Sequence, residues 1–550
     1  MSGLASIFDV GKLSLLASQR ALQVVSQNLA NANTPGYSRQ EVILEQTAPT
    51  GVNGFQTGTG VTVAQVRRLV NSFLENQITV SQQDLGWLQA QADSYVRLEG
   101  IFSDSNDQGI SKQLTEFFNA LRNVAGNPQG QTERTVLLAQ ATALASQFNQ
   151  TAADLIQARK DLNTQVSQTI TEVNTLAAQV AVLNGKVAAV EMSGQTANDL
   201  RDQRGQLLNE LAKRIDIHTF EDSNGQVQVF VGRGNILVER AGTIPLASTP
   251  SADNNGFLSV THRGADITSL IGGGSLGGLL TLRDGTIPDI QGRLDTLAAS
   301  LINEVNQVHA SGYALDGTTG NNFFSALSVT ATQLSTNAGS LTVTGGISTA
   351  SALTMHDYRL EFAGGGAFTI TDQSTSAVVA SGTYAGPGPT TLSVFDGLTL
   401  TFAGATPTSG DTYTISAHKE AAKNLAVALT DVRKVAASAT QTGLPGDNST
   451  ALALIALQST AVSTLGGTTL NGYYAATAVA VGSAAQANTQ DLSAQEVVRN
   501  QLDSQRGETS GVSIDEELTN MIQFQRAYQA AAKLIVTADE LFQVLLDLKR

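Results

Sequence analysis

Few residues in this chain have the type and spacing for chemistry. Gly273-Gly274-Ser275-Leu276-Gly277 has the G-x-S-x-G spacing of a nucleophile elbow. Such an elbow needs a strand before the serine and a helix directly after it. Here Gly272 and Gly278 flank the motif inside a glycine run, so a flexible loop is expected. The run is not followed by the G-K-[ST] of a phosphate loop. The five histidines, at 218, 262, 309, 356 and 418, are scattered, and none makes the i, i+4 pair of a helical metal site. They read as surface or hydrogen-bonded side chains. Asp199 and Asp202 stand three apart, beside Arg201 and Arg204. Two carboxylates at that spacing could do acid–base work, but ion pairs along one helix are the simpler reading. No catalytic residue, cofactor-binding residue, metal ligand or cofactor is assigned, and the chain does not read as an enzyme.

Composition narrows the classes further. The chain has 550 residues, 41% of them hydrophobic, enough for two to four domains with their own cores. Asp and Glu number 47 against 32 Lys and Arg, a net charge of −15. Such a surface argues against nucleic acid, whose phosphates require basic patches, and against charge-driven binding to anionic membranes. Aromatics are 5% of residues, so cores of aliphatic side chains and alanine are expected. There is no cysteine, which removes disulfide and thiolate chemistry. Met1 to Lys12 lacks the basic and apolar regions of a signal peptide. No stretch is read as apolar enough to span a bilayer.

The elements that would position any site are mostly helical. Leu4, Phe8, Gly11, Leu15, Ser18, Leu22, Val25 and Leu29 alternate spacings of four and three, the seam of a coiled coil. That helix should end before Thr34-Pro35-Gly36, because proline disfavours helical geometry in the residue before it and glycine permits the turn. The other end mirrors it through Ile514, Leu518, Met521, Gln525, Tyr528, Ala532, Ile535, Asp539, Phe542 and Leu546. Ser513 and Glu516 form a capping box at its start, and Lys549 and Arg550 suit the negative end of its dipole. A third stripe, Leu162 to Val190, predicts a long helix, and 419–441 and 448–507 read as Ala-rich helices. Asn224-Gly225 between two alternating runs predicts a hairpin. From 326 to 418 the chain turns Thr-, Ser- and Gly-rich, with short alternating runs such as Tyr358–Phe362 and Leu398–Phe402.

The expected architecture is mainly α with a β insert. Residues 1–65 and 505–550 form a terminal helical domain. Residues 66–325 and 419–504 form a helical bundle with a small β element near 215–270, and 326–418 an inserted β-rich outer domain. The terminal stripes are narrow and lie at the extreme ends, so they are expected to pack on each other and on neighbouring copies.

At this point the residues resemble a family. Asn28-Leu29-Ala30-Asn31-Ala32-Asn33-Thr34-Pro35-Gly36-Tyr37-Ser38 is similar to the N-terminal signature of flagellar rod, hook and hook-associated axial proteins. Asp515-Glu516-Glu517-Leu518 and Gln525 to Lys533 are similar to the C-terminal partner of that signature. Further motifs resemble the hook-associated branch: Phe117 to Leu121, Asn127-Pro128, Arg134, Phe148-Asn149, Asn198 to Arg204, Gly277 to Leu280 with Arg283-Asp284, and Asn306 to Gly312. The resemblance covers about 1–325 and 419–550.

It implies a non-enzymatic adaptor joining the flagellar hook to the flagellin filament. The alternatives are a hook or rod protein, or a surface adhesion module on the β insert. It implies terminal helices that form an intermolecular coiled-coil tube. The assembly interface would be Leu4, Phe8, Leu15, Leu22, Val25, Leu29, Ile514, Leu518, Met521, Tyr528, Ile535 and Phe542, with Thr34, Pro35 and Gly36 as the helix-ending turn. The implied partners are copies of the chain, hook protein, hook-associated protein 3 and a cytoplasmic export chaperone at the C-terminal helix, with neither nucleic acid nor membrane. The implied location is the extracellular flagellum at the hook–filament junction, reached through the flagellar type III channel without a cleaved signal peptide.

Overall fold

In a computed structural model of the chain, residues 2–52, 55–103, 109–391 and 395–547 are described. Lys549 and Arg550, assigned above to the helix dipole, lie outside them. The first helix, α1 (Ser2–Ala30), stops four residues before Pro35. Next comes an antiparallel ribbon of Gln40–Gln46 on Val61–Arg68. The ribbon places strands within 1–65, which the sequence pattern assigns to a terminal helical domain. The short apolar run Val42-Ile43-Leu44, with two β-branched residues, answered by β-branched Val61, Thr62 and Val63, favours a strand pair over a helix.

The body is a helical bundle. It is built from α2 (Ser72–Phe102), α3 (Ile110–Gly126), the 61-residue α4 (Gln131–Glu191) and α5 (Asn198–Arg214). Asn71 caps α2 by accepting from the Phe73 and Leu74 amides. At ~1.5 Å per residue α4 is about 90 Å long and forms the spine. It contains one 18-residue window with a mean hydropathy of 1.2, which the sequence reading passed over. Leu137, Leu144, Phe148, Leu155, Val166 and Val173 on this helix are buried in the bundle core.

A four-stranded and a three-stranded sheet follow between Ile217 and Asp266. The hairpin turns at Asn224-Gly225, where Gly225 takes a positive φ. The expected flexible glycine loop is instead α6 (Gly274–Thr281), and its glycines are buried. A Cβ on Gly278 would stand 2.6 Å from the Trp87 carbonyl oxygen, so the run lets α6 press directly on the α2 backbone. A wide π turn, Leu282–Thr286, leads into α7 (Ile287–Ser311).

The chain then leaves the bundle for a β module. One sheet has five antiparallel strands in the spatial order 330–333, 412–416, 357–362, 367–372, 378–383. A three-stranded sheet (342–347, 398–403, 390–391) supplies Phe402, which meets Phe362 and Phe368 of the larger sheet at ring-centroid separations of 5.6 and 5.3 Å. A second aromatic cluster joins Phe117, Phe118, Phe323 and Phe324. Cores of aliphatics and alanine alone are therefore not what forms.

Of two helix expectations beyond the module, one fails and one holds in part. Residues 419–441 are not one helix: α8 (Ala421–Asn424) and a 3-10 turn at Val432–Lys434 are its short helical pieces, and the segment reaches a strand at Ala436–Ser438. Its main-chain groups are taken by bundle side chains, as shown below. The 448–507 segment breaks into α9 (Ser449–Ala456) and α10 (Leu470–Ser510), interrupted at Gly466-Gly467, both with positive φ. Helix α10 runs antiparallel to α2, pairing Tyr474 with Phe102 and Arg506 with Glu75. The last helix, α11 (Ile514–Asp547), returns antiparallel along α1. The Glu516 amide reaches Ser513 Oγ at 3.5 Å, a weak form of the expected capping box.

Candidate functional site: the joined termini

Contact between α1 and α11 uses small side chains. Gly11 lies against Leu534 and Ile535, and Ala17, Ser18, Ala21 and Val25 are buried on α1, as are Ala531 and Ala538 on α11. Of the residues assigned to the assembly interface, Val25 is buried, and Leu15, Leu22, Leu29, Met521 and Ile535 are half-buried. Phe8, Ile514, Leu518, Tyr528 and Phe542 are exposed, Leu518 by 43% and Phe542 by 45%. Leu4 lies on α1, but its side chain is outside the described ones. Ile7, Leu16, Ile522, Val536, Leu541 and Val544 are also exposed. The pair thus buries a stripe of small residues and leaves large apolar side chains free. A contiguous apolar surface of this kind marks an interaction site.

The open ends of the pair meet the body through a polar clasp. Thr34, Pro35 and Gly36 turn the chain out of α1, with Gly36 at φ +78° and the Gln206 side chain packed where a Cβ would stand. Gln206 donates to the Pro35 carbonyl, and Arg506 donates to the Gly36 carbonyl at 3.2 Å. The Ser38 amide and hydroxyl each reach Asp202 at 2.9 Å, and Arg68 pairs with the same carboxylate at 2.6 Å. Asp199 accepts from Gln27 at 3.0 Å and Gln40 at 2.7 Å. The expected ion pairs along α5 do not form. Arg201 instead joins Glu191 and Glu221, and Arg204 holds Asn184 and the Gly225 carbonyl. Burial lowers the Arg204 pKa to about 10.

At the centre of the clasp is Glu517, 1% exposed. It accepts from Arg39 Nε at 2.8 Å and from Asn28 Nδ2 at 3.1 Å, while Glu516 takes Arg39 Nη1 at 2.7 Å. Asn28 also bonds the Gln40 main chain at both amide and carbonyl and accepts from the Tyr37 hydroxyl at 2.9 Å. Burial, helped by the charges of Asp199, Asp202 and Glu517, raises the Tyr37 pKa, so its hydroxyl stays a donor. Sequence reasoning missed Glu517 and Arg39 as partners. The available signal was that both lie in or beside the paired end signatures.

A second constellation holds the root of the β module. His309, fully buried, bonds the Asn321 carbonyl through Nδ1 at 2.7 Å and accepts the Ala436 amide at Nε2 at 2.9 Å. Asn306 bonds the main chain of Phe323 and Phe324, Asn149 the carbonyls of Ala422 and Lys423, and Asp295 the amides of Glu420 and Ala422. Arg134 donates to the Pro128 and Val435 carbonyls. Ser275 Oγ faces the Arg214 carbonyl at 3.5 Å, and both ring nitrogens of His309 are occupied. The two therefore have no arrangement for nucleophilic attack. His356 and His418, far apart in sequence, come to neighbouring positions beside Asp357, with His356 on Asp372 at 2.8 Å. Among the described residues no group of three acidic or histidine side chains could hold a metal.

The ends and the middle match known sequence families separately. Residues 14–37 match the flagella basal body rod protein family, and 504–548 the flagellar basal body rod FlgEFG protein C-terminal family. Residues 95–324 match the helical domain of flagellar hook-associated protein FlgK, a match that stops where the β module begins. Flagellar hook-associated protein 1 of Escherichia coli is 28% identical over 99% of this chain and 100% of its own length. That of Bacillus subtilis is also 28% identical, over 98% of this chain and 97% of its own length. The flagellar hook junction protein FlgK from Burkholderia pseudomallei shares the fold, with a TM-score of 0.67 at 22% identity, over 79% of this chain and all of that one. These matches make the chain similar to flagellar axial proteins at both ends. Within that class the chain is a relative of hook-associated protein 1, to which it is similar from end to end.

Proposed function

We propose that this chain is a structural component of the bacterial flagellum that adapts the hook to the flagellin filament. Similarity to hook-associated protein 1 over nearly the whole chain supports the reading. The observation that carries the mechanism is the α1–α11 pair, which closes through small residues and keeps Phe8, Leu518, Tyr528 and Phe542 exposed. Burying one Leu- or Phe-sized side chain contributes roughly 1.5–3 kcal/mol. A neighbour covering several of them would supply a strong, non-directional association. Pairs from successive copies then form an inner coiled-coil tube, with hook protein on one side and hook-associated protein 3 on the other. The bundle forms a surrounding layer and the β module the outside. An export chaperone would shield α11 before the chain leaves the cell unfolded. Deleting the gene and imaging the cells tests this. Hooks without filaments, with flagellin shed into the medium, are expected; missing hooks would assign the chain to the hook or rod instead.

A further inference from the structure

The seam between α1 and α11 is built largely from small residues. Gly11 lies against α11, Ala17 and Ala21 are buried on α1, and the buried apolar positions of α11 are Ala531 and Ala538. A stripe of small residues lets two helices approach closely, but it fits nearly as well when one helix slides by a turn. A buried polar group in such a seam specifies register, because only one alignment satisfies it. Glu517 is that group. Carboxylates in the first turn of a helix usually face solvent and complement its dipole. This one is turned inward at 1% exposure, and each of its oxygens accepts from a different donor of the N-terminal segment. Those donors lie 489 and 478 residues away in sequence. Slipping α11 by one turn, ~5.4 Å, would leave a buried charge unpaired.

We infer that Glu517 is a positioning residue for assembly: through Arg39 and Asn28 it fixes the register of α11 against α1, and so the apolar surface the pair presents to its neighbours. This rests on the assembly role proposed above. It assigns to one carboxylate a specificity that the apolar residues lack.

The chain is free of cysteine, so Gly11→Cys with Ile535→Cys introduces a single thiol pair at a close contact of the seam. Purified full-length chains carrying that pair, with or without Glu517→Gln, are compared for cross-link yield under mild oxidation. Reduced and oxidised forms are then added to hooks of cells lacking the gene, and filament regrowth is counted. Glu517→Gln should lower both cross-link yield and incorporation by about tenfold or more, as loss of one partner of a buried pair allows. The melting temperature of the bundle should be unchanged, and Arg39→Gln should reproduce the defect. The cross-linked fraction of Glu517→Gln, with its register restored covalently, should regain incorporation. Normal incorporation of reduced Glu517→Gln overturns the inference. So does a cross-linked Glu517→Gln that still fails, because Glu517 would then act on a neighbour directly. If even the wild-type chain restores no filaments, the junction role fails, while cross-link yield still decides the register claim.

Discussion

His309 shows how one buried side chain sets a pH dependence. Burial lowers its pKa to about 4, with the nearby Arg134 guanidinium adding to the effect and the Asn321 carbonyl opposing it. The neutral ring is needed, because Nε2 must accept the Ala436 amide. Between the unfolded value of 6.5 and about 4, the unfolded chain binds the proton and the folded chain does not. Stability from this group is therefore complete above pH 6.5 and is lost as pH falls toward 4. His309→Gln should cost about 1–3 kcal/mol at pH 7, the penalty for disturbing a buried hydrogen-bonded group. It should also flatten the decline of melting temperature from pH 6.5 to 4, measured by circular dichroism. Ser275→Ala, in contrast, removes only a long contact to the Arg214 carbonyl. Motility should be unchanged, and loss of any hydrolytic activity in the purified variant would restore the serine as a nucleophile. The histidines could be read from sequence as hydrogen-bonded because they lacked metal spacing. What each one bonds could not be read, since His309 joins two segments more than 100 residues apart.

At the scale of elements, legibility followed how local the determinants were. The boundary of α1 before Thr34-Pro35-Gly36, the hairpin at Asn224-Gly225 and the strands at 357–362 and 398–403 rest on near neighbours, and all could be placed from sequence. Residues 419–441 could not. Their alanines and lysine favour a helix, but Asn149, Asp295, His309 and Arg134 on other elements capture their carbonyls and amides, so tertiary hydrogen bonds outweigh propensity. The glycine run at 272–278 was misread for a related reason. Glycine permits a loop but also permits close approach, and only the position of α2 decides between them. Gly278→Ala tests this. Its Cβ would sit 2.6 Å from the Trp87 carbonyl oxygen, so the variant should lose about 1–3 kcal/mol through overpacking. The emission of Trp87, the only tryptophan, should shift as α6 moves away.

Across the whole molecule, the two ends and the body do different work. Leu518→Asp or Phe542→Asp places a charge on the exposed face of α11 and should abolish incorporation at the hook tip while leaving the melting temperature of the bundle unchanged. Unfolding of the bundle instead would mean that the terminal helices belong to its core. The clasp was half visible in the sequence. Its residues fall within or next to the end signatures and the Asn198 to Arg204 motif, but the pairing of Arg39 with Glu517 spans nearly the whole chain and leaves no local trace. The β module makes the opposite case. Replacing 326–418 with a short Gly/Ser linker should preserve the helical signal of the flanks, because the Phe362–Phe368–Phe402 core lies wholly within the removed segment. Global loss of helicity would show that the bundle depends on it.

The root of that module holds the chain largely by its backbone. Asn306, Asn149, Asp295, His309 and Arg134 bond amides and carbonyls of the exit and re-entry segments, and any residue other than proline can offer those groups. The socket is therefore indifferent to cargo. Mutational drift inside the module is insulated from the bundle and the terminal helices. A foreign sheet, an epitope or a small enzyme with suitably spaced ends could be mounted there.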